Sequence, residues 1–384
     1  MTRHDEASIA GRAMNRKVRV LHVLPSIQGY GAERQIVELL KRLPSSDVDA
    51  ALLTIYPPPA DAPGDLPFPV VHAGRNGVRD RFFIGRLVRE IRAFGPDVVH
   101  THTHVGKYWG RLAAAAARVP SIVHTEHNPC DFRRTRFERV ADRVLHRATA
   151  KVVTFFQEQA VSLSEFEDLP IEKVSVIPNG LAIPDARGAG REEARRRLAA
   201  GPGSFAIMIV GRMEFQKNQL LALRAVAAMR NHVRAGVTVY FAGSGEDEPL
   251  LRREARACQI EDRVRFLGYR NDLPELLPGA DLVLMTSWFE GMPLALIEAM
   301  IAGVPIVSTP WIGARNMLAD GRLGYIAPDY DAHRIAAEIE RAITDPTTRG
   351  ELARRAREHA CERYGIERMV DAHRRLYLEL RDAA

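Results

Sequence analysis

Short apolar runs alternate with longer amphipathic segments along most of the chain. Runs of Val, Ile, Leu and Phe bounded by turn residues predict buried strands, whereas apolar positions that recur every three to four residues predict helices. Strands that alternate with helices are typical of parallel sheets covered on both faces. We therefore predict an α/β protein, with strands at 18–24, 50–55, 70–71, 98–100, 122–124 and 152–155 in the first half and at 205–210, 237–242, 264–267, 282–285 and 305–308 in the second.

The length of 384 residues and one boundary segment predict two domains. At roughly 100–200 residues per domain, each half is long enough to bury a core of its own. Residues 178–191 are rich in Pro, Gly and Asn, which is typical of a linker. We assign 1–16 to a polar extension, 17–184 to an N-terminal domain, 185–361 to a C-terminal domain and 362–384 to a final helix, whose apolar positions from Ile366 to Leu380 have helical spacing.

Composition and charge narrow the classes of protein that the chain can represent. Three scattered cysteines, Cys130, Cys258 and Cys361, do not suit a disulfide framework and favour a reducing compartment. A membrane span needs about 18 apolar residues in a row, and neither such a run nor a secretory signal is present, so we expect a cytoplasmic protein. The net charge of +6 would admit nucleic acid or an anionic membrane as partner. No nucleic-acid-binding motif accompanies it, so no nucleic acid is expected.

One basic segment, Arg133 to Arg147, suggests a membrane surface as a partner. Its arginines are Arg133, Arg134, Arg136, Arg139, Arg143 and Arg147. They lie among apolar residues such as Val140 and Val144, which predicts an amphipathic helix with a cationic face. Two interpretations stay open. The face is either the solvated side of an ordinary surface helix, or it docks on an anionic membrane surface.

Charged residues follow two of the predicted strands in the second half. Arg212 and Lys217 come after strand 205–210, and Glu290 and Glu298 come after strand 282–285. Ligands of open α/β sheets bind at the carboxyl ends of the strands. There, Arg212 could hold a diphosphate by bidentate contact and Lys217 as a point charge. The chain has only six lysines, which favours a specific role for this one.

The two glutamates are interpreted as a pair that binds a polyol. We expect Glu290 on the loop between strand and helix, and Glu298 about two turns into the helix. A spacing of eight residues is near two helical turns, so both carboxylates should lie on one edge, facing the same ligand. Carboxylates accept hydrogen bonds from the paired hydroxyls of a ribose or hexose. The alternative is that Glu290 only starts a helix, where the macrodipole favours a carboxylate, and that Glu298 is solvated.

In their order, these segments resemble the donor-binding half of the retaining glycosyltransferases of the GT-B fold, family 4 or group 1. The resemblance rests on Gly211-Arg212 with Lys217, on the segments 241–245 and 266–268, and on 290–293 through 298–300 with Gly303 and Pro305. It covers roughly residues 17–380. It implies two Rossmann-like, doubly wound parallel-sheet domains that face each other across a cleft, with the last helix crossing back onto the first domain.

The resemblance also implies a nucleotide-sugar donor, with a UDP-sugar favoured over a GDP-sugar. Glu298 would bind the ribose, and Arg212 and Lys217 the diphosphate. The base would lie against the backbone near 269–270, and the sugar hydroxyls against Glu290. The full set of implied donor-binding residues is Gly31, Arg212, Lys217, Tyr269, Arg270, Glu290, Gly291, Met292, Pro293 and Glu298. The implied chemistry is a same-face substitution in which the leaving phosphate helps to take the acceptor proton, while the protein stabilises its charge and excludes water.

A glycine-rich loop follows the first predicted strand. Glycine lets a backbone approach a phosphate, and a helix start presents free N–H groups to it. The dinucleotide fingerprint is incomplete because Arg34 occupies its last glycine position, so a nicotinamide cofactor is disfavoured. The run from Gly29 to Glu33 is similar to the Gly-Gly-Ala-Glu loop of the family, with Tyr30 inserted. Gly31 is preferred over Gly29 as the residue that faces the ligand.

Histidines follow two predicted strands in the first half. His100, His102 and His104 alternate, so they would share a face if the extended geometry persists. We assign them to an acceptor pocket in preference to a three-histidine metal site. Within the run 124–127, the resemblance implies that the last histidine lies between donor sugar and acceptor. His127 is therefore the catalytic candidate, together with Arg212, Lys217 and Glu290. The alternative is that the two histidines of the run 124–127 only bond to neighbouring backbone.

Neither a cofactor nor a metal ion is expected. The closest match to the Asp-x-Asp metal motif of the other large transferase fold is 329–331, where Asp331 is better explained as a helix N-cap. We predict a retaining, metal-independent hexosyltransferase that moves a sugar to a hydroxyl of a glycan or lipid-linked saccharide in cell-surface polysaccharide or glycolipid synthesis. It would be cytoplasmic, or peripheral on the inner face of the membrane. The alternatives are a nucleotide-sugar epimerase and a catalytically silent nucleotide-sugar-binding subunit.

Overall fold

The computed structural model describes residues 16–27, 31–58, 65–77, 79–128, 135–184 and 190–383. The described residues form two compact units. The first contains the residues up to Gly180 together with those from Ile366 onwards, and the second is Leu181–Gly365. Each unit has a parallel sheet covered by helices, which confirms the predicted α/β, doubly wound architecture.

The sheet of the first unit has the strand order β3-β2-β1-β4-β5-β6-β7, and all of its pairs are parallel. The order reverses between β1 and β4, which is the position where open α/β sheets bind ligands. In this pair, His22 of β1 lies opposite His100 of β4. The strands are β1 Val18–Leu24, β2 Val48–Thr54, β3 Val70–His72, β4 Val98–His102, β5 Ser121–Thr125, β6 Lys151–Thr154 and β7 Val174–Val176.

Helices bury both faces of this sheet in separate apolar clusters. Ile36, Leu39 and Leu40 pack on one face, and Leu87 and Ile91 pack on the other. The helices are Gly31–Arg42, Phe83–Phe94, Arg111–Ala117, Arg136–Ala148, Gln157–Glu167 and Ile366–Asp382, with short helical turns at Thr103–Val105, Gly106–Gly110 and Ile171–Lys173.

The C-terminal helix Ile366–Asp382 belongs to the first unit. The sequence predicts this helix, and its existence is confirmed. Its apolar residues share a core cluster with β1 and with the helix Gly31–Arg42. The seven residues at helical spacing are all buried: Ile366, Met369, Val370, His373, Leu376, Tyr377 and Leu380.

The sheet of the second unit has the order β10-β9-β8-β11-β12-β13, and it too is parallel throughout. Its order reverses between β8 and β11. The strands are β8 Phe205–Val210, β9 Val237–Ala242, β10 Val264–Gly268, β11 Leu282–Met285, β12 Ile306–Ser308 and β13 Tyr325–Ile326. Their side chains form one apolar cluster with the helices that flank them.

The helices of the second unit include the predicted one that starts after Asp331. The Asp331 carboxylate accepts hydrogen bonds from the backbone N–H groups of His333 and Arg334 at 2.9 and 3.0 Å, which confirms its role as an N-cap. The helices are Arg191–Arg197, Gln219–Ala228, Asn231–Arg234, Glu248–Ala257, Leu273–Leu276, Leu294–Ile301, Ile312–Met317, Ala332–Thr344 and Pro346–Arg363, with 3₁₀ turns at Phe215–Lys217, Glu261–Arg263, Leu277–Gly279 and Ala319–Gly321.

Candidate active site

In the second unit, the loops after β8 and β11 lie side by side where the strand order reverses. The backbone N–H of Trp288 donates to the carbonyl of Gln216 at 2.9 Å, and the Thr286 hydroxyl donates to the carbonyl of Asn218 at 2.9 Å. These bonds join two segments that are about seventy residues apart in sequence. The charged residues singled out in the sequence are therefore brought together at the carboxyl edge of the sheet.

Two glycines allow the loops after β8 and β9 to pack backbone against backbone. Gly243 has φ +152°, and a Cβ atom there would lie 2.0 Å from the carbonyl oxygen of Gly211. A Cβ atom on Gly245 would lie 2.2 Å from the carbonyl oxygen of Met213. Any side chain at these positions would push the two loops apart, since no such contact fits a real Cβ. This explains the glycines of the segment 241–245.

Glu290 is buried and lies at the centre of a hydrogen-bonded cluster. Its Oε1 lies 2.5 Å from Lys217 Nζ and accepts a hydrogen bond from the Ser287 hydroxyl at 2.7 Å. Its Oε2 accepts one from Gln216 Nε2 at 3.2 Å. Lys217 is therefore held at the carboxyl edge of β8 by a carboxylate from the loop after β11.

The expected position of Glu290 on the loop before the helix is confirmed, but the expected position of Glu298 two turns into the helix is wrong. The helix begins only at Leu294, after Pro293, so Glu290 lies in the preceding loop and Glu298 about one turn into the helix. Glu298 is buried, like every residue of this helix. Because Glu290 lies on a loop and Glu298 on a helix, the argument from two helical turns does not apply.

Arg212 has a carboxylate partner that sequence reasoning missed. Its Nη2 lies 3.0 Å from Glu214 Oε1, and the Arg212 side chain is 49% exposed. Burial raises the pKa of Glu214, an effect that the positive charges of Arg212 and Lys217 oppose. The signal for Glu214 was present in the sequence, because it lies in the same loop two residues after Arg212. Both cations at this edge thus carry a carboxylate neighbour.

The other donor-binding candidates also follow strands of the second sheet. Tyr269 is exposed, and Arg270 pairs with Asp272 at 2.6 Å; both come directly after β10. Gly291 and Met292 belong to the loop after β11, in which Met292 is buried. These residues occupy the same edge as Lys217 but at two different strands.

In the first unit, Gly31 is the first residue of the helix Gly31–Arg42, which follows β1. Its position at the point where the strand order reverses suits a backbone that approaches an anion. The alternative candidate, Gly29, and the inserted Tyr30 lie outside the described residues.

The expectation that three histidines share a face is wrong for His104. Strand β4 ends at His102, and Thr103 has φ +59°, so the chain turns there. His104 lies in the short helical turn that follows, with 67% of its side chain exposed and its Nε2 3.9 Å from Glu138. His100 and His102 are fully buried in β4. Sequence reasoning missed His22, which joins them because β1 pairs with β4.

Four histidines, a tyrosine and a threonine form a continuous line of hydrogen bonds, which we call the histidine chain. From one end to the other, its members are His127, His102, His22, Tyr377, His100 and Thr125. His102 Nδ1 lies 3.3 Å from His127 Nε2, and His102 Nε2 lies 3.0 Å from His22 Nδ1. The phenol oxygen of Tyr377 lies 3.3 Å from His22 Nε2 and 2.6 Å from His100 Nδ1. His100 Nε2 lies 2.7 Å from Thr125 Oγ1. His127 is partly exposed and the other members are buried.

Burial keeps the rings of the histidine chain neutral. It lowers the pKa of His22 to about 3 and that of His127 to about 4, and it holds the pKa values of His100 and His102 well below the usual range. Ring nitrogens of His22, His100 and His102 lie within 4.8 Å of one another, which is close enough for a metal ion. In the structure, these nitrogens are engaged in the hydrogen bonds of the chain.

A buried network of charged side chains includes Glu126, the residue before His127, and sequence reasoning missed this network. Lys107 Nζ lies 3.0 Å from Glu126, 3.1 Å from Asp142 and 3.3 Å from Glu167. Arg111 pairs with Asp142 at 3.1 Å, and its burial lowers its pKa to about 10. Buried ion pairs must satisfy each other, since a lone buried charge is costly. The network ties the helix Arg136–Ala148 to the strand that leads to His127.

The helix Arg136–Ala148 presents apolar and cationic side chains together. Its inner face carries the buried Asp142 and His146. Val140 and Val144 are 57% and 56% exposed. The exposed arginines beside them are Arg139, Arg143 and Arg147. Arg143 pairs with Asp168. Arg133 and Arg134, and the side chain of Arg136, lie outside the described part of the chain. Among the described residues, no helix is both long and apolar enough to cross a bilayer.

The chain matches two family models that follow each other along the sequence. The Glycosyltransferase Family 4 model matches residues 30–183, and the model of glycosyl transferases group 1 matches residues 190–360. An α-1,3-galactosyltransferase of Escherichia coli, which acts on UDP-Gal and α-D-GlcNAc-diphosphoundecaprenol, is 24% identical, with 96% of this chain and 99% of the relative covered. A D-inositol 3-phosphate glycosyltransferase of Salinispora arenicola is 27% identical, with 91% and 87% covered.

Solved structures show the same fold. Anabaena HepE in complex with UDP-glucose is 21% identical and matches with a TM-score of 0.79 over 95% of this chain and all of that one. Sucrose-phosphate synthase of Thermosynechococcus elongatus is 17% identical, with a TM-score of 0.81 over 96% of this chain and 100% of that one. The chain is a glycosyltransferase and belongs to the group 1 glycosyltransferases of the GT-B fold.

Proposed function

We propose that the protein transfers a sugar, with retention of configuration and without a metal ion, from a UDP-sugar to a hydroxyl of a lipid-linked saccharide or glycan for the cell surface. The observation that carries this proposal is the set of Arg212, Lys217 and Glu290 at the carboxyl edge of the second sheet. The named relatives support the substrate class, because one acts on UDP-Gal and a diphosphoundecaprenol-linked sugar and a structural neighbour was solved with UDP-glucose.

The donor is assigned to the second unit from the charges at that edge. A diphosphate would compete with Glu214 for Arg212, which is half exposed and therefore able to reorient. Lys217 would add a second positive charge near the departing oxygen. Oε2 of Glu290 accepts one bond from Gln216 and keeps capacity for a sugar hydroxyl. Glu298 would hold the ribose.

The acceptor is assigned to the first unit, at His127. In the proposed reaction, the acceptor oxygen forms a bond to the anomeric carbon while the bond from that carbon to the phosphate oxygen breaks. The acceptor proton passes to the departing phosphate oxygen. The protein supplies position and charge in place of a metal ion: Arg212 and Lys217 stabilise the diphosphate, and His127 orients the reacting groups.

Transfer is tested with the full-length protein, a panel of UDP-sugars and a short-chain polyprenyl-diphosphate saccharide. We expect a glycosylated acceptor whose new linkage has the anomeric configuration of the donor, as read by NMR. An isomerised donor formed without any acceptor would instead indicate an epimerase. Tight UDP binding with no turnover of any donor would indicate a silent binding subunit, and an inverted product would contradict retention.

A lipid-linked acceptor would require the protein to approach a membrane, and the exposed side chains of the helix Arg136–Ala148 suit contact with a membrane surface. Val140 and Val144 would insert at the headgroup boundary while Arg139 and Arg147 attract anionic lipid. We expect binding to vesicles that contain phosphatidylglycerol, and we expect it to fall as salt rises, because the attraction fades within about 8 Å at physiological ionic strength. Val140→Ser with Val144→Ser should weaken sedimentation with vesicles. Val161→Ser, an exposed valine on another helix, serves as the control. Equal sedimentation with neutral vesicles would contradict this proposal.

A further inference from the structure

The histidine chain has a feature that a set of separate buried histidines lacks, which is direction. A neutral imidazole has one N–H donor and one acceptor nitrogen. In this line, His102, His22 and His100 each use both ring nitrogens on a neighbour in the chain. The tautomer of one ring therefore fixes the tautomer of the next, and the phenol of Tyr377 passes the direction on by donating to one ring and accepting from the other.

We propose that this chain fixes His127 as a hydrogen-bond donor at Nδ1, and that His102, His22, Tyr377 and His100 are positioning residues for that donor. Only two arrangements of protons satisfy every link. In one, all four rings carry the proton on Nδ1. In the other, all four carry it on Nε2.

The hydroxyl of Thr125 decides between the two arrangements. When the Thr125 hydroxyl donates to His100 Nε2, every proton of the chain has an acceptor. His100 then donates to Tyr377, and Tyr377 donates to His22. His22 in turn donates to His102, and His102 donates to His127. When His100 donates instead, the Thr125 proton is left over. Within the described part of the chain, Thr125 Oγ1 has no other hydrogen-bond partner, and the residue is buried. An unsatisfied buried donor is unfavourable, so the direction towards His127 is preferred.

The outer end of the chain is then an N–H group. Nδ1 of His127 has no partner among the described residues, and His127 is the partly exposed member of the line. Burial and, to a smaller extent, His373 lower the pKa of His127 to about 4, whereas the negative charge of Glu126 opposes them only in part, so the ring is neutral. His127 can therefore donate to a hydroxyl or ring oxygen of a substrate, and it cannot accept a proton at Nδ1.

This role in transfer rests on the proposed function, with which it agrees. A donor at His127 orients an oxygen, while the acceptor proton goes to the departing phosphate. A histidine acting as general base would need a lone pair at the same position, which the favoured direction of the chain removes. The structure thus assigns orientation, and not proton removal, to His127.

The tautomers can be measured without any substrate. In full-length protein labelled with ¹⁵N-histidine, ring nitrogen shifts distinguish a proton on Nδ1 from one on Nε2. We expect His22, His100, His102 and His127 all in the Nδ1–H form at neutral pH, whereas exposed His104 serves as the solvent reference. His373 Nδ1 lies 2.9 Å from the Met369 carbonyl, so it gives an internal standard for Nδ1–H. A mixture of tautomers among the four rings, or Nε2–H in His127, would overturn the proposal.

Tyr377→Phe removes one link and keeps the ring. We expect His127 to lose its uniform Nδ1–H signal, and kcat to fall while the Kd for UDP is unchanged. Tyr240→Phe is the matched control, because it removes another buried phenol, one that bonds to Thr238 in the second unit. If Tyr377→Phe fails to fold, the wild-type tautomers still decide. A stoichiometric metal ion bound in purified protein through His22 and His102 would contradict the chain.

Activity separates the two claims. If the four rings show Nδ1–H but Tyr377→Phe transfers sugar at the wild-type rate, the positioning role is wrong. If the wild type transfers no sugar although the tautomers are as expected, the proposed function fails and the assignment of the chain stands.

Discussion

The two sheets of the protein share a topology but place opposite chemistry at the point where the strand order reverses. In the first, between β1 and β4, the residues are buried histidines that are neutral and bonded to each other. In the second, between β8 and β11, they are charged and paired, and Arg212 is half exposed. A neutral buried network can hold one orientation, whereas an exposed ion pair can exchange its partner for a ligand. The proposed function therefore uses the same topology for fixed positioning in one unit and for binding of a charged ligand in the other.

Acid should separate the two units more strongly than any single substitution. The first unit buries His22, His100, His102, His124, His146 and His373 and partly buries His127, and this burial lowers the pKa of each. The unfolded chain, with histidine pKa values near 6.5, then binds more protons than the folded one, so stability falls as pH drops from about 6.5 towards 4. Each such histidine costs roughly 2 kcal/mol of stability between pH 7 and 5, so the seven together are comparable to the whole stability of a typical protein, ~5–15 kcal/mol.

Hydrogen exchange resolved by mass spectrometry measures this difference. After correction for the intrinsic rate, peptides that cover β1, β4 and β5 should lose protection near pH 5 while peptides that cover β8 and β11 keep it. The second unit is the internal control. Equal loss in both units, or none in either, would mean that the histidines of the first unit do not stay neutral by burial.

Removing either Arg212 or Lys217, the two cations at the carboxyl edge of the second sheet, should lower turnover by about 10²–10³-fold. This is the usual effect of losing one group that stabilises developing charge. The variants are Lys217→Ala and Arg212→Ala, measured by kcat with the preferred UDP-sugar. Arg224→Ala is the matched control, because Arg224 is also exposed and paired, with Glu254 in the same unit. Near-wild-type kcat in both site variants would remove the charge argument from the proposed mechanism.

The sequence predicts most of the sheets because their strands are continuous apolar runs. β1, β8, β9 and β11 have the predicted bounds, and the other predicted strands differ by a residue or two at their ends. β7 and β13 were missed, since they have only three and two residues and both lie at a sheet edge. The family and the fold could thus be predicted from local patterns and motifs.

The interiors of the sites could not be predicted in the same way, because their contacts join distant parts of the chain. His22 meets His102 across 80 residues, and Lys107 meets Glu167 across 60. No local pattern marks such pairs. The misplaced His104 followed from assuming that a strand continues, whereas a left-handed residue, Thr103, ends it. The position of Glu298 was wrong by about one helical turn for a similar reason, since the helix starts later than assumed.

Substitution of Glu298 and of Glu290 in the second unit should affect different measurements, UDP binding in the first case and sugar transfer in the second. If Glu298 holds the ribose, Glu298→Ala should weaken UDP binding by about 1.5–3 kcal/mol, the value of a hydrogen bond to a charged group. Glu290→Ala should leave UDP affinity nearly unchanged and lower sugar transfer. Isothermal titration with UDP and a transfer assay measure the two effects, with Glu261→Ala as a control in the same unit. Equal UDP affinity in the wild type and Glu298→Ala would contradict the ribose assignment.

A chelator should have the smallest effect, which is none on the rate of transfer. In the proposed mechanism, Arg212 and Lys217 supply the positive charge that a diphosphate needs when it departs, so no divalent ion is required there. Transfer measured after treatment with EDTA, and again with added magnesium or manganese, should give the same kcat. Loss of activity on chelation, restored by either ion, would show that the charge at the second sheet is insufficient. It would also weaken the contrast between the two units, because the binding of a diphosphate would then depend on a metal ion and not on Arg212 and Lys217.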